Sequence, residues 1–503
     1  MKFSKTIPKI IRYPVVYLST MLLILSGCSG SSDDSTGYIK FYNASSNAPG
    51  VFLTVDENLD ADDDDEIEVT YSAVAFSKVS ASNALDTGKY YVELAWQDEE
   101  SSERSDLEVI YEDQVSITSE NITFMALTAD IRQPDVLTFD IPVIDDDTDD
   151  DDDLFNLRFL NLNATYQTVD VYMSKDNETF NEAQFVTSSD LNSLTDNIKL
   201  DQDQYIFYIT PAGGDEVIYT SVDQSYSWVS QYVIVLRANT GVGSSPFAID
   251  SIGVNGVTQL DDVDSEATFG FYNAITPNDY LPDYYGVIDI DVKLGSESKV
   301  VINNLAYGEF SASTTTANGD YAFNVLNTYT DQTFINDALL SLEENADNTL
   351  FLYGKIDPVD DDKDLDIDEN GDGIVDNYES IVKSMTITKS NNSSLYSHGI
   401  KVVNLTDSDD FSRVTFYFVL SDEIISTADN KLSVLQESNG SVSLLNNTYD
   451  IYAVANIDGT DLVLGSMLLI LNEDSQEQFL IFEADEAAYT GYTMKLVEQR
   501  IED

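Results

Sequence analysis

Along the chain, apolar residues fall into short runs, some alternating with polar residues and some continuous, separated by clusters of Gly, Asp, Asn and Ser. Sustained 3.6-residue periodicity is almost absent, so the pattern predicts strands joined by turns rather than helices. The runs repeat in order. The same opening occurs four times, as Tyr38-Ile39-Lys40-Phe41-Tyr42-Asn43-Ala44, Leu157-Arg158-Phe159-Leu160-Asn161-Leu162, Thr268-Phe269-Gly270-Phe271-Tyr272-Asn273-Ala274 and Ile400-Lys401-Val402-Val403-Asn404-Leu405. Each reads as a short strand ending in asparagine. A second strand follows at Val51 to Val55, Val169 to Met173, Val287 to Val292 and Val414 to Val419. Further on, a turn leads into a strand that starts with tyrosine, at Gly88-Lys89-Tyr90, Asp203-Gln204-Tyr205, Gly319-Asp320-Tyr321 and Asn447-Thr448-Tyr449. Gly, Asp and Asn tolerate tight-turn backbone angles, and the aromatic and β-branched residues after them fit a pleated surface.

Each unit then offers a long apolar strand, Ile122 to Leu127, Tyr232 to Leu236, Thr349 to Tyr353 and Gln478 to Phe482. It closes with one more, Val136 to Ile141, Phe247 to Ile252, Ser380 to Ile387 and Tyr492 to Val497. The interval between successive opening asparagines is that of a whole domain rather than of a propeller blade of roughly 40–50 residues. The expected fold class is all-β, with tandem antiparallel β-sandwich domains of immunoglobulin-like or Greek-key type. Repeat 1 covers 37–144, repeat 2 covers 154–260, repeat 3 covers 266–390 and repeat 4 covers 396–503, with an Asp-rich linker at 145–153.

The first residues read differently. Lys2, Lys5, Lys9 and Arg12 form a basic leader, and Val15 to Ile24 is an apolar run too short to cross a bilayer comfortably. Leu25-Ser26-Gly27-Cys28 follows, and it resembles the lipobox of bacterial lipoproteins. The resemblance implies a signal peptide over 1–27, a cut before Cys28, acylation of the Cys28 thiol and new amino terminus, and a polar tether over 28–36. An ordinary secretory signal or an uncleaved anchor are the competing readings. Two or more acyl chains anchor a protein stably where one does not, so the membrane is an expected partner through a lipid anchor. By resemblance to Gram-negative sorting, Ser29 after the cysteine implies an outer membrane lipoprotein on its periplasmic or cell-surface face; in a Gram-positive organism the same signal implies the outer face of the plasma membrane.

The repeats themselves resemble an uncharacterised domain of bacterial lipoproteins and cell-surface proteins, of the domain-of-unknown-function 4397 type. Asn43-Ala44 and Asn273-Ala274 carry its first element, Val169-Asp170-Val171-Tyr172 its second, and Gly88-x-Tyr90 and Gly319-x-Tyr321 its third. Unit four departs most from the pattern. The resemblance implies a β-sandwich on an exported protein, assigns no activity and carries over no catalytic residue.

Charge narrows the partners. With 24 basic against 91 acidic residues the formal net charge is −67, which makes nucleic acid or an anionic membrane surface an unfavourable partner. A single cysteine excludes an intramolecular disulfide, so burial and backbone pairing must hold each domain.

One acidic stretch has the spacing of a metal loop. Asp368-Glu369-Asn370-Gly371-Asp372-Gly373-Ile374-Val375-Asp376-Asn377-Tyr378-Glu379 fits the twelve-position calcium loop. Asp368, Asn370 and Asp372 supply side-chain oxygens, Ile374 a backbone carbonyl, Asp376 a water-linked group and Glu379 the bidentate carboxylate. Calcium is therefore the expected cofactor, clamping an insertion over 357–379. Pro358 and the acidity of 357–366 argue against a paired EF-hand, and Asp360, Asp362, Asp364 and Asp366 offer a second, less specific set of ligands. The runs Asp62 to Glu66 and Asp145 to Asp153 lack the glycine and terminal carboxylate of such a loop and read as solvated loop and linker.

Catalytic chemistry finds little support. The one histidine, His398, reads as lying at the edge of a linker, away from any serine or acidic constellation, and no phosphate loop or dinucleotide fingerprint occurs. The expected function is a non-catalytic binding and scaffold lipoprotein of the cell envelope, with a glycan or envelope protein as ligand. A carbohydrate-active hydrolase with accessory sandwiches is the alternative, since a glycosidase needs only two carboxylates. Two measurements check the chemistry. Cys28→Ser is expected to abolish incorporation of labelled palmitate, and a wild-type mass matching an intact Met1 terminus would overturn the anchor. Calcium added to chelator-treated protein is expected to give saturable heat in a calorimeter; no heat would remove the site.

Overall fold

The computed structural model describes residues 36–57, 69–70, 73–97, 107–144, 154–254, 256–295, 297–330, 332–359, 377–390, 394–485 and 487–497. Strands dominate, and a single 3-10 turn, Phe180–Glu182, is the helical element among the described residues. The first sandwich is built from β1 (Thr36–Asn43), β2 (Val51–Asp56), β3 (Val69–Thr70), β4 (Asn83–Asp86), β5 (Gly88–Gln97), β6 (Leu107–Ile117), β7 (Asn121–Thr128) and β8 (Asp135–Pro142). The second uses β9 (Leu154–Asn161), β10 (Thr168–Lys175), β11 (Gln184–Asp190), β12 (Ile198–Asp201), β13 (Gln204–Pro211), β14 (Tyr219–Thr220), β15 (Gln224–Ser225), β16 (Gln231–Ala238), β17 (Phe247–Ile252) and β18 (Val257–Leu260). The third uses β19 (Glu266–Ala274), β20 (Val287–Leu294), β21 (Glu297–Ala306), β22 (Thr314–Ala317), β23 (Gly319–Asn327), β24 (Thr333–Leu342), β25 (Asp347–Pro358) and β26 (Tyr378–Thr388). The fourth uses β27 (Ser397–Asn404), β28 (Arg413–Val419), β29 (Asn430–Leu435), β30 (Ser438–Leu445), β31 (Thr448–Ile457), β32 (Thr460–Ile470), β33 (Gln478–Ala484) and β34 (Tyr492–Val497).

The same two-sheet topology recurs four times. One sheet places the opening strand beside the long apolar strand, in the orders β4-β1-β7-β8, β12-β9-β16-β17-β18, β22-β19-β25-β26 and β30-β27-β33-β34. The other centres on the second and the tyrosine-started strands, as β3-β2-β5-β6, β11-β10-β13-β14 with β15 also on β13, β21-β20-β23-β24 and β29-β28-β31-β32. The tandem all-β sandwich expected from the pattern is therefore present. Most strand pairs are antiparallel, as expected, but one pair in every unit departs from that: the opening and long apolar strands run parallel, β1 with β7, β9 with β16, β19 with β25 and β27 with β33.

The repeated asparagine now has a physical role. Asn43, Asn161, Asn273 and Asn404 are fully buried at the end of their strands. In each, the side-chain oxygen accepts the N–H two residues on, from Ser45, Asn163, Ile275 and Thr406, at 3.0 to 3.2 Å. The amide donates across the sandwich to a carbonyl beside the second strand, Val74 at 3.0 Å, Ser189 at 3.5 Å, Leu305 at 3.0 Å and Val434 at 3.3 Å. One side chain thus turns the chain and staples the two sheets, which Ala cannot do. The turn tyrosines are likewise alike. Tyr90, Tyr205, Tyr321 and Tyr449 each donate to the carbonyl four residues upstream, at 2.8 to 3.1 Å, the geometry of a tyrosine corner.

Burial explains the two kinds of apolar run. The second sheets alternate, as β20 does, with Ile288, Ile290 and Val292 inside the third core. The first sheets are buried on both faces. In β25, Leu350 and Leu352 face the third core while Phe351 and Tyr353 face the fourth domain, where they meet Val403, Phe479 and Ile481. In β16, Ile234 and Leu236 face the second core while Val233 and Val235 meet Tyr42, Phe124 and Ala126 of the first. Domains one and two, and domains three and four, therefore share a core through their first sheets.

Each of these seams holds an ion pair with a buried carboxylate. Asp250, fully buried, accepts the Arg237 Nε at 2.8 Å and the Tyr42 hydroxyl at 2.5 Å, and the guanidinium lies 5.0 Å from the Phe76 ring centroid. Burial and the Asp250 charge push the Tyr42 hydroxyl well above its ordinary pKa. In the other seam Glu483 accepts from Lys495 and, at 2.9 Å, from the Tyr307 hydroxyl.

Further contacts close the arrangement. Between domains two and three, Asn239 and Asn345 exchange side-chain hydrogen bonds at 2.9 and 3.2 Å. A Cβ on Gly241 would stand 2.2 Å from the Asn345 amide and one on Gly243 2.0 Å from the Ser265 hydroxyl, so these loop positions need glycine for close approach. The linker into domain four returns to domain one, where Tyr396 stacks on Trp96 with centroids 4.2 Å apart. Asp250→Ala is expected to cost about 3–5 kcal/mol by stranding a buried guanidinium, and Arg237→Met with Asp250→Leu to recover most of it. Urea unfolding followed by tryptophan fluorescence measures both, and an unshifted midpoint for the single variant would refute the pairing.

Candidate binding site at one end of the third domain

Strand directions bring the ends of β19, β23 and β25 and the starts of β20 and β26 to one end of the third sandwich. The connection from β19 to β20 is anchored from below. Leu281 and Tyr284 are buried in the third core, and the Tyr284 hydroxyl donates to the Ile275 carbonyl at 3.0 Å; burial pushes that phenol up to about 12. The Asn278 side-chain oxygen accepts the Tyr280 N–H at 2.9 Å, and Asp283 turns the chain at φ +66 while its carbonyl accepts from Asn327 at 3.0 Å. With Leu281 and Tyr284 held inward, Tyr280 and Tyr285 are left facing out, 44% and 68% exposed.

The neighbouring connection supplies a partner ring. Asn327, buried, accepts the Tyr329 N–H at 3.0 Å, and Tyr329 is 61% exposed. Its ring meets Tyr285 edge-on, with centroids 5.6 Å apart and planes at 79°. Tyr378, 42% exposed at the start of β26, meets Tyr280 at 5.9 Å. Both pairs stand within the range of favourable aromatic geometry. Exposed tyrosines on pinned loops offer large amphipathic contact area that costs little side-chain entropy to use. Asp279 and Asp283 belong to the same connection and supply acceptors for hydroxyl or amide donors, whereas Glu379 follows Tyr378 in β26 and points to the other face of that strand.

This cluster was not anticipated from the sequence. Its signal was present in the β19–β20 connection, Ile275 to Gly286, which is longer than its counterparts and carries three tyrosines among Pro, Asn and Asp. Of the residues expected to hold calcium, Glu379 lies in β26, exposed and paired with Asp357 across the ladder. Asp368, Asn370, Asp372, Ile374 and Asp376 fall outside the described residues, as do Asp360, Asp362, Asp364 and Asp366, the runs 62–66 and 145–153, and Cys28.

His398 requires a correction. It belongs to β27 and is 3% exposed, not part of a linker edge, and it lines a cleft of about 570 Å³ with Ser397, Ser443, Asp347 and Glu477. The ring is nevertheless committed to the Asn446 side-chain oxygen, 2.6 Å from Nε2, and bonds no serine or carboxylate among the described residues. The acids there pair with cations, Asp347 with Lys389 at 2.9 Å and Glu477 with Lys401 at 3.6 Å. The arrangement is that of a salt-bridged seam.

Solved structures with some likeness include the TIE protein of Bacillus anthracis, 9% identical, covering 90% of this chain and 75% of that one, at a TM-score of 0.15. The major pilin subunit BcpA of Bacillus cereus is 8% identical, covering 66% and 98%, at 0.14. SpuA, a multi-modular glycogen-degrading pneumococcal virulence factor, is 8% identical, covering 62% and 37%, at 0.13. Likeness this slight carries no argument about function, and the fold rests on the strand pairings themselves. No family model and no curated protein matches the chain, so the resemblance in the repeats stands on the motif residues alone.

Proposed function

We propose that the chain is a non-catalytic binding and scaffold protein of the cell envelope, tethered to the outer membrane through an acylated Cys28, whose third sandwich presents a tyrosine platform to a glycan. The observation that supports this most directly is the outward placement of Tyr280, Tyr285 and Tyr329 on loops held by buried Leu281, Tyr284 and Asn327, with Tyr378 exposed beside Tyr280 at the start of β26. A sugar ring has an apolar face edged by hydroxyls, and exposed phenol rings with carboxylates beside them match both parts. The net charge of −67 favours a neutral or basic glycan over an acidic one.

Calcium completes the proposal. Asp357 and Glu379 face each other across the β25–β26 ladder, a like-charge pair that is unfavourable unless a cation lies near. Lys355 already engages Asp357 at 2.9 Å, and a calcium ion held by Asp368, Asn370, Asp372, the Ile374 carbonyl, Asp376 and Glu379 would neutralise the remainder. It would also fix the β25–β26 connection next to Tyr378.

The test is a glycan array probed with the chain from Ser29 onward. Tyr285→Ala with Tyr329→Ala is expected to weaken retained binding by at least about tenfold, or about 1.4 kcal/mol. Tyr489→Ala, a fully exposed tyrosine of the fourth domain, is expected to leave it unchanged. Binding that survives the paired replacement, or no retention on any glycan, would sink the reading.

A further inference from the structure

A second feature lies in the seam between the first two domains. Lys40 sits on the outer face of β1, only 5% exposed. Two of the three N–H groups of its ammonium are taken by backbone carbonyls, Gly253 at 2.5 Å and Val254 at 3.0 Å, and no carboxylate faces it among the described residues. Burial alone draws its pKa down to about 8, so the amine is still mostly cationic at neutral pH. In a chain with 91 acidic residues, an unpaired buried cation is an exception.

Lys40 lines a cleft of about 370 Å³ whose walls are otherwise largely apolar, among them Ile122, Phe124, Ile141, Val233 and Ile252. That volume falls within the roughly 300–1,000 Å³ of small-molecule sites. Tyr38 is the other titratable side chain on the lining. At the mouth, Val143, Val229 and Val254 are 39%, 40% and 56% exposed, and beside them Trp228 is 76% exposed. A cation at the base of an apolar slot with an apolar lip is complementary to one kind of molecule, an anion with a hydrocarbon tail.

We propose that this cleft binds a medium-chain fatty carboxylate, its head group ion-paired with the Lys40 ammonium and its tail along Ile122, Phe124 and Val233. The carboxylate supplies a charge partner that no described residue offers Lys40, and the tail covers surface that water would otherwise wet. β1 begins at this same end of the domain pair, since Tyr38 is level with Ile122 and Ile122 with Ile141. The anchor proposed above would therefore hold the mouth near the bilayer, but the binding itself does not depend on the anchor.

The experiment titrates the chain from Ser29 onward with decanoate and with decanol at pH 7, reading the fluorescence of Trp228. The chain holds two tryptophans, and the other, Trp96, is buried against Tyr396. Decanoate is expected to bind saturably and at least tenfold more tightly than decanol. Lys40→Met is expected to erase that preference while keeping the decanol affinity. Val143→Trp, a rim change that leaves the charge in place, is expected to weaken both ligands at least tenfold, and it decides the matter should Lys40→Met not fold. No saturable decanoate signal, equal affinity for acid and alcohol, or wild-type binding by Val143→Trp would each overturn the proposal. Because nothing in this titration involves Cys28 or the third-domain tyrosines, its failure and theirs are read separately.

Discussion

Burial of the first sheet on both faces is the constraint from which the architecture follows. Strands buried on both faces read as near-continuous apolar runs, and here each opening strand lies beside a long apolar one of that kind. The inner face meets its own second sheet. The outer face, carrying Phe351 and Tyr353 in the third domain or Val233 and Val235 in the second, is apolar and requires another cover. The neighbouring domain supplies it with the same face of its own first sheet. The repeats thus stack in pairs, and the unit that buries its apolar surface is two domains, not one.

That requirement also places polar groups where a single sandwich would expose them. Arg237 and Asp250 lie on the outer face of the second domain's first sheet and are buried only because Tyr42 and Phe76 of the first domain close over them. Lys40 lies on the same face of β1 two residues before Tyr42, where among the described residues the second domain offers it only the carbonyls of Gly253 and Val254. The difference between a satisfied ion pair and an unpaired ammonium is therefore a matter of position along the same seam.

How much of this was legible in the sequence follows from which signals are local. Strands with continuous apolar runs, such as Ile122 to Leu127 and Gln478 to Phe482, stood out because both faces are buried. The asparagine and tyrosine motifs stood out because each does the same structural work four times, within a few residues or across one sandwich. Strands such as β6, β24 and β32 were missed because they lie at sheet edges with charged or exposed side chains, where neither alternation nor hydrophobicity is strong. Pairing between domains was not visible at all, since an outward-facing Phe351 looks the same in the sequence as an inward-facing Leu350. His398 was misplaced for a related reason. A histidine preceded by Ser-rich, polar residues reads as linker, whereas the backbone already pairs Ser397 with Leu445 in β27.

The same constraint decides where recognition is available. Face-to-face stacking removes the flat outer surfaces of the first sheets, the surfaces a sandwich most readily offers to a large partner. What remains free are the alternating outer faces of the second sheets, the seams, and the ends where loops gather. The second-sheet faces carry small exposed apolar groups, such as Leu468 with Ile470 on β32 and Phe185 edge-on to Tyr172 on the second domain, which is ordinary for a protein surface. Among the described residues, the third domain's end combines several outward aromatic rings with loops whose own hydrophobic residues are locked into a core. Rings held in this way give up little conformational freedom when a ligand arrives. Beside them Asp357 and Glu379 are partners across the β25–β26 ladder, and Lys355 stands against Asp357 at 2.9 Å, so the like charges at that end are relieved within the fold itself.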